Sequence, residues 1–199
     1  MTDGRLIEKF LDGDTNAFNT LIWRWEKPLY NFVYRTVGEK ETSKDICQIA
    51  FIRMYKQLNT LRDRDKFSSW LYRIALNLCR DEMKKKKRQA KTYWDDLCAD
   101  DGTTDTLAQM EDQQTKQPDE LCHQNHISDI LKNALMVLPE EQRIVIVMKQ
   151  YQGLKFTEIA DILKEPVNTV KSRLYYGLRK LRKILEESKL SKEVLLNEM

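Results

Sequence analysis

The sequence predicts an all-α protein made of two small helical bundles that an acidic, flexible linker joins. Apolar residues recur at helical spacing along most of the 199 residues, and no segment alternates as a half-buried strand would. Six Gly and four Pro are too few for a turn-rich β-sandwich. Charged residues make up 33% of the chain, so we expect modest cores shared among several amphipathic helices.

Changes in composition divide the chain into four segments. Residues 1–90 and 128–188 carry the helical patterns, and residues 189–199 form a short tail. Residues 91–127 lie between the two patterned segments. The stretch from Ala90 to Asn125 holds nine acids and only two lysines, with little periodicity. This composition predicts a largely unstructured acidic linker.

The first patterned segment begins with three short helices. Apolar spacing predicts a helix over 3–12, and Asp14 is a suitable N-cap for the next helix. Pro28 fits the first turn of a third helix, which should stop at Gly38. A charged loop, 59–66, follows a fourth helix.

The fourth helix should begin at a cap formed by Thr42 or Ser43 and continue to about Leu58. The residues expected to face its core are Ile46, Ile49, Ala50 and Met54.

The stretch FSSWLYRIALNLCRDEMKKKKR, 67–88, predicts a long helix with two different faces. One face is an apolar stripe that starts at Phe67 and Trp70, and the other is a polar stripe at helical spacing. At about 1.5 Å per residue the helix spans roughly 33 Å, close to one turn of duplex DNA. The polar stripe consists of Arg73, Asn77, Arg80 and Lys84.

Two interpretations of this helix remain open. Its polar stripe either follows a phosphate backbone or is a solvated helix face. Phe67 and Trp70 are core residues in the simplest interpretation, because aromatic residues at helical spacing usually are. The alternative is stacking on an unpaired base, with Arg62, Arg64 and Lys66 of the preceding loop beside them.

The stretch TEIADILKEPVNTVKSRLYYGLRKL, from Thr157, has the pattern of a DNA-binding helix-turn-helix. Pro166 marks the turn, and Asn168 or Thr169 caps the second helix. Seven basic residues and one acid lie between Lys164 and Lys183, which suits phosphate contact. A helical hairpin with a solvated basic face is the alternative. Residues on or near the outer face of the second helix are Thr169, Lys171, Ser172, Arg173, Tyr175 and Tyr176.

Several classes of protein are disfavoured by what the sequence lacks. No apolar run approaches 18 residues, and the polar N-terminus is not a signal peptide, so we expect a cytoplasmic protein without membrane insertion. The four widely spaced cysteines indicate reduced thiols. Cys122, His123 and His126 lack an evident fourth ligand, so we expect no metal and no cofactor. No catalytic motif appears, so an enzyme is not expected.

Four stretches together resemble the extracytoplasmic-function (ECF) group of bacterial sigma factors, in the sigma-70 family. The stretches are DICQIAFIRMYKQL (45–58), FSSWLYRIALNLCRDEMKKKKR (67–88), LPEEQRIVIVMKQYQGLKFTEIADIL (138–163) and PVNTVKSRLYYGLRKLRK (166–183). The resemblance implies sigma domain 2 over 1–90 and sigma domain 4 over 128–188. It also implies binding to core RNA polymerase, recognition of the minus-ten and minus-thirty-five promoter elements, and promoter melting.

The resemblance also implies roles for individual residues. Core polymerase binding falls to Asp45, Gln48, Phe51 and Arg53. Recognition and melting of the minus-ten element fall to Arg62, Arg64, Lys66, Phe67, Trp70, Arg73, Asn77, Arg80 and Lys84. Reading of the minus-thirty-five element falls to Thr169, Lys171, Ser172, Arg173, Tyr175 and Tyr176.

The sequence departs from the family pattern in four places. Ile49 stands where Glu is usual, and Asn168 replaces the Gly of the turn. Tyr176 and Leu178 stand where two basic residues are usual, which predicts weaker or altered minus-thirty-five reading. The family implies an anti-sigma factor or another recruiting protein as a further partner. A stand-alone helix-turn-helix regulator that acts without polymerase is the alternative function.

Overall fold

The computed structural model describes residues 1–99 and 121–187, and this part of the chain is all-α, as predicted. The first half contains α1 (Asp3–Leu11), α2 (Thr15–Val37), α3 (Lys40–Gln57) and α4 (Phe67–Ala99). The second half contains α5 (Leu121–Val137), α6 (Glu140–Ile146), α7 (Phe156–Leu163) and α8 (Val167–Glu187).

The ends of α2 follow the predicted signals. The Asp14 carboxylate accepts a hydrogen bond from the backbone N–H of Asn16, at 3.0 Å, so Asp14 is the N-cap. Gly38 ends the helix in the left-handed conformation, with φ of 85°. Its N–H donates to the carbonyl oxygen of Tyr34, a geometry that glycine adopts without steric cost.

The prediction that Pro28 starts a new helix is wrong, because α2 continues through it. A proline inside a helix removes one hydrogen bond and crowds the preceding turn. Leu21 lies before Pro28, and Leu29 and Phe32 lie after it, and all three are fully buried. Burial of this one continuous face against α1 and α3 outweighs the local cost.

The start of α3 also differs from the prediction. The helix begins at Lys40, after an extended Glu39, rather than at Thr42 or Ser43. Ser43 is buried, and its hydroxyl donates to the carbonyl oxygen of Glu39 inside the first turn. Ile46, Ala50 and Met54 are buried as predicted. Ile49 was expected inside but is 43% exposed.

The prediction that residues 91–127 are largely unstructured is wrong at both ends of that segment, because helices extend into it. Helix α4 continues to Ala99, and α5 begins at Leu121. No Gly or Pro interrupts residues 89–99 or 121–127, so nothing in the backbone stops either helix. The middle of the predicted linker and the predicted tail, 189–199, lie outside the described residues.

The two halves pack against each other through one continuous apolar core. Buried residues of α1–α4 form a single cluster with buried residues of α6 and α7, among them Ile144 and Ile159. At the seam, the hydroxyl of Tyr72 donates to the side-chain oxygen of Gln152, at 2.7 Å. The guanidinium of Arg35 lies 4.2 Å from the centre of the Tyr151 ring.

The second half ends in two helices joined by a tight turn. Helix α6 continues into a π-turn, Val147–Tyr151, and the chain reverses at Gly153. Lys155 is the N-cap of α7, and its N–H donates to the Glu158 carboxylate at 2.6 Å. Between α7 and α8, Lys164 adopts the left-handed conformation with φ of 58°.

Candidate polymerase and nucleic-acid interfaces

The outer face of α3 combines polar and apolar side chains. Asp45, Gln48 and Arg53 are exposed, as docking residues would be. Phe51 is partly buried against the core of the first half, so most of its side chain serves packing. Its predicted role as a docking residue is therefore restricted to the exposed remainder of the ring.

Sequence reasoning missed two apolar residues on this outer face. Ile49 and Ile52 are both exposed and lie three residues apart, next to Gln48. Tyr55 is also exposed and contacts Phe10 and Phe18, with ring centres 5.5 Å and 5.2 Å away. The signal in the sequence was the surplus of apolar residues on α3, more than one buried stripe can hold.

The loop between α3 and α4 carries three cations in different environments. Arg62 is exposed, and no ion pair of its side chain appears among the described residues. Arg64 forms an ion pair with Glu8 of α1, which fixes one end of the loop. The Lys66 ammonium lies 3.6 Å from the Asp63 carboxylate and stays largely exposed.

The predicted contact of Phe67 with DNA is wrong, because its side chain is only 1% exposed. Its ring packs edge-on against Trp25, with ring centres 5.8 Å apart. Trp70 lies on the next turn, partly buried against the same core. The interpretation of these aromatic residues as core residues is therefore correct for Phe67 and partly correct for Trp70.

The polar stripe of α4 meets the second half of the chain at one point. Asn77 and Lys84 are exposed and Arg80 is half-buried. Arg73 instead donates to the carbonyl oxygen of Asp161 on α7, at 2.7 Å. Its guanidinium also lies 3.2 Å from the Asp161 carboxylate. In this arrangement Arg73 is not free to bind phosphate.

The charge on Asp161 is stabilised from two sides. Lys164, which hydrogen-bonds to the carboxylate at 3.1 Å, is the main cause that lowers the pKa of Asp161, and Arg73 contributes further. Because the pKa is lowered, the carboxylate stays ionised well below neutral pH. The contact between α4 and α7 therefore carries a full charge pair under physiological conditions.

The helix-turn-helix has a conventional core and an open outer face. Ile159 and Val170 are fully buried where α7 and α8 cross, and Ala160 is buried beside them. Ser172 and Tyr175 lie on the exposed side of α8, three residues apart, with Thr169 half-buried at its start. The N-terminal half of α8 thus presents side chains of the size and polarity that enter a major groove.

The exposed side of α8 is partly organised by its own contacts. The Ser172 hydroxyl donates to the carbonyl oxygen of Asn168, at 2.9 Å. Tyr175 and Tyr176 are both exposed and pack edge to face, with ring centres 5.5 Å apart. The Lys171 ammonium lies 5.9 Å from the Phe156 ring centre, at the flank next to α7. The tyrosines form one exposed aromatic pair.

Two arginines of α8, Arg173 and Arg179, lie in different environments. Arg173 is only 18% exposed and contacts two carboxylates, so it does not lie on the open side. Arg179 was not predicted as a site residue, yet it is exposed and one turn beyond Tyr175. Its spacing of seven residues from Ser172 places both on one stripe, a signal that was present in the sequence.

Metal and membrane sites are absent from the part of the chain that the structure describes. No group of three or more His, Cys, Asp or Glu side chains could hold an ion there. The side chains of Cys122, His123 and His126 lie outside the described residues. None of the described helices is both long and apolar enough to cross a bilayer.

Comparison with known proteins assigns both halves of the chain. The model of Sigma-70 region 2 matches residues 21–89, and that of Sigma-70, region 4 matches residues 128–181. The ECF RNA polymerase sigma factor SigW of Bacillus subtilis is 34% identical over 182 residues, covering 91% of this chain and 95% of SigW. The chain belongs to the ECF group of the sigma-70 family. As a sigma factor it binds core RNA polymerase and directs it to specific promoters.

Other relatives agree with this assignment. The ECF RNA polymerase sigma-E factor of Escherichia coli K12 is 31% identical over 175 residues, covering 88% of this sigma factor and 90% of that one. The solved structure of CnrH in complex with the cytosolic domain of CnrY is 21% identical, with a TM-score of 0.67. It covers 93% of this chain and 97% of the other, which shows a shared two-bundle fold.

Proposed function

We propose that this sigma factor uses three surfaces for three functions. They are the outer face of α3, the loop before α4 together with the polar stripe of α4, and the exposed side of α8. The observation that carries this proposal is the exposed, basic and aromatic side of α8, directly after a tight helix-turn-helix turn. Such a side is what a helix needs in order to read duplex DNA. The other two surfaces lie on the other half of the same chain, α1–α4.

Core polymerase docks on the outer face of α3. Exposed Ile49 and Ile52 supply apolar contact, while Asp45, Gln48 and Arg53 surround them with polar groups. An apolar centre with a polar rim is the usual composition of a protein–protein interface. Ile49 in place of the family's usual Glu makes the centre of this interface more apolar.

Arg62 and Lys66 in the loop, with Asn77, Arg80 and Lys84 of α4, bind the minus-ten element in its melted form. The two loop residues are exposed. The three residues of α4 are exposed or half-exposed and follow one side of the helix. Arg64 holds the loop through Glu8, so it positions the loop. Trp70, partly exposed, is the aromatic ring available to an unpaired base.

The exposed side of α8 reads the minus-thirty-five element. Ser172 and the pair Tyr175–Tyr176 face the base edges, with Thr169 at the helix start and Lys171 at its flank. Arg179 supplies a phosphate contact that compensates for the missing basic residues at positions 176 and 178. Tyrosine rings suit apolar contact with thymine methyl groups.

The remaining assignments follow from the family. The segment of 1–90 acts as sigma domain 2 and that of 128–188 as sigma domain 4, with the acidic segment as their connection. The structural neighbour from Bartonella quintana, RpoE, was solved with the anti-sigma factor NepR, at 18% identity and a TM-score of 0.64. An anti-sigma factor is therefore a partner of the kind that this chain would take. We place the protein in the cytoplasm, without enzymatic activity.

Run-off transcription from a library of randomised promoters tests the proposal. Core RNA polymerase with this chain should initiate selectively at promoters that share two separated sequence blocks. The stand-alone regulator predicts instead that the chain binds one duplex site tightly without core enzyme. The proposal fails if no bacterial core, including that of the source organism, initiates selectively with this chain.

A further inference from the structure

Arg173 lies in the N-terminal third of α8, the proposed recognition helix, but its charged group contacts the protein. Its terminal nitrogen Nη2 is 2.6 Å from a carboxylate oxygen of Glu141, in the first turn of α6. The same nitrogen donates to the carboxylate of Glu165, in the turn before α8, at 3.2 Å. One guanidinium thus joins three parts of the domain: α6, the turn and α8.

The helical position of Arg173 agrees with these contacts. At about 100° per residue, Arg173 lies roughly 130° around α8 from the stripe that holds Ser172, Tyr175 and Arg179. Its neighbour one turn along the same flank is Gly177, which is buried. Arg173 and Gly177 therefore share the flank that faces α6.

Gly177 shows how closely α6 and α8 approach. A β-carbon added at Gly177 would lie 2.9 Å from the Ile146 methyl group and 3.1 Å from the Gln142 β-carbon. The helices therefore touch at Gly177, and one turn earlier Arg173 meets Glu141, the residue before Gln142. The apolar contact sets the distance between the helices, and the ion pairs set their alignment.

A direct contact of Arg173 with a base would require both ion pairs to break. Arg173 would lose its ion pair with Glu141 and its charge-assisted hydrogen bond to Glu165, a type of bond that is stronger than a neutral one. Glu141 and Glu165 would then be left without their cation beside the phosphates of the duplex, where negative charge opposes binding. Ser172, Tyr175 and Arg179 reach the open side without any such loss.

We propose that Arg173 is a positioning residue, which fixes the recognition helix against α6 and the turn so that the exposed stripe of α8 enters the groove in register. This inference rests on the proposed function of α8. It assigns Arg173 to the orientation of α8 and removes it from the set of residues that read bases. The ability of Ser172, Tyr175 and Arg179 to discriminate between base sequences then depends on Glu141 and Glu165, which do not contact DNA.

The test uses the holoenzyme assembled from the full chain and core polymerase, with a panel of single-base substitutions across the upstream promoter element. Two variants should each reduce the discrimination between base pairs about tenfold at several neighbouring promoter positions. They are Arg173→Ala and the double variant Glu141→Gln with Glu165→Gln. Arg173→Lys should recover part of that loss, because its ammonium still reaches one carboxylate. The matched control is Arg182→Ala, an exposed arginine of α8 that pairs with Glu186.

The control should lower affinity for all sequences alike and leave discrimination unchanged. A base-reading Arg173 predicts a different pattern: loss at one base pair in Arg173→Ala, and unchanged or tighter binding in the glutamine pair. That pattern would overturn the inference. The glutamine pair retains arginine at position 173 and removes only its two anionic partners, so the comparison holds even where thermal denaturation shows that Arg173→Ala is unfolded.

Ser172→Ala and Tyr175→Ala distinguish a failure of the positioning role of Arg173 from a failure of the proposed function of α8. If they alter upstream preference while the Arg173 variants act at a single base pair, only the positioning role is refuted. If neither alters upstream preference, α8 does not read this element. The proposed function of α8 then fails, and the positioning role of Arg173 fails with it.

Discussion

At the scale of single residues, Gly177 controls how closely the recognition helix packs. Leucine at this position would push α8 away from Gln142 and Ile146, and overpacking of this kind costs about 1–3 kcal/mol. Gly177→Leu should lower the free energy of unfolding by that amount in urea titrations. Lys180→Leu, an exposed change in the same helix, should stay within about 0.5 kcal/mol of the parent chain. Equal stability of the two variants would contradict the close packing.

Substitution of Phe67 tests whether this residue serves the core or binds DNA. Phe67→Leu should cost about 1–2 kcal/mol of stability, because the ring is fully buried against Trp25. The folded variant should keep the parent's base preference in the minus-ten block. Arg62→Ala, at an exposed position, should do the reverse: nearly unchanged stability with weaker binding to the melted strand. A folded Phe67→Leu chain with altered minus-ten preference would refute this assignment.

The sequence predicted which residue types gather at each surface, but it did not predict which of their side chains are free. Helical spacing correctly grouped Ser172 and Tyr175 on one side of α8. It did not separate Arg173 from them, because the carboxylate of Glu141 comes from a helix more than thirty residues earlier. Long-range pairing of this kind leaves no periodic trace.

At the scale of elements, α3 and α4 enclose two buried thiols, Cys47 and Cys79. Burial raises the pKa of Cys47 to about 12 and raises that of Cys79 as well. At pH 8 a thiol with that pKa has roughly 1,000-fold less reactive thiolate than an ordinary cysteine. In a chain carrying Cys98→Ser and Cys122→Ser, iodoacetamide should therefore leave both thiols unmodified.

Mass spectrometry before and after urea provides the check on these thiols. Both cysteines should be alkylated once α3 and α4 separate on unfolding. Rapid alkylation of Cys47 in the native chain would mean that the α3–α4 contact opens readily. Serine at positions 98 and 122 ensures that any modification reports on these two residues alone.

The elements themselves were largely predictable where an apolar stripe was regular, as in α1, and where it began at a cap, as at the start of α2. The sequence misled where two local signals competed. Pro28 predicted a helix boundary that burial of the flanking stripe overrode, and acidic composition predicted coil where residues 91–99 continue α4. An acidic composition favours solubility but does not end a helix. A helix continues until a residue such as Gly or Pro interrupts it.

At the scale of the whole molecule, the two halves are held together over surfaces that the proposed function needs. The part-buried hydrogen bond from Tyr72 to Gln152 is one polar contact between the halves, and exposed ion pairs such as Lys87 with Glu140 contribute about 0–1 kcal/mol. Arg73, in the polar stripe of α4, is held by Asp161. Under the proposed function, binding of a melted strand along that stripe would therefore compete with docking of α7.

Weakening this contact should open the free chain. Tyr72→Phe combined with Arg73→Ala removes the contacts of α4 with Gln152 and Asp161, and small-angle X-ray scattering should show a larger radius of gyration. Asn77→Ala, an exposed change on the same stripe, is the control and should leave the radius unchanged. An unchanged radius in the double variant, with the core still folded, would show that the apolar seam alone holds the halves together.

The division of labour between the two halves is the central claim, and promoter selection with matched variants tests it most directly. The library transcription assay is repeated with Ser172→Ala in α8 and with Arg62→Ala in the loop before α4. The first variant should change sequence preference only in the upstream block, and the second only in the downstream block, with core binding retained in both. The account is contradicted if both variants change the same block, or if either acts only by losing core polymerase.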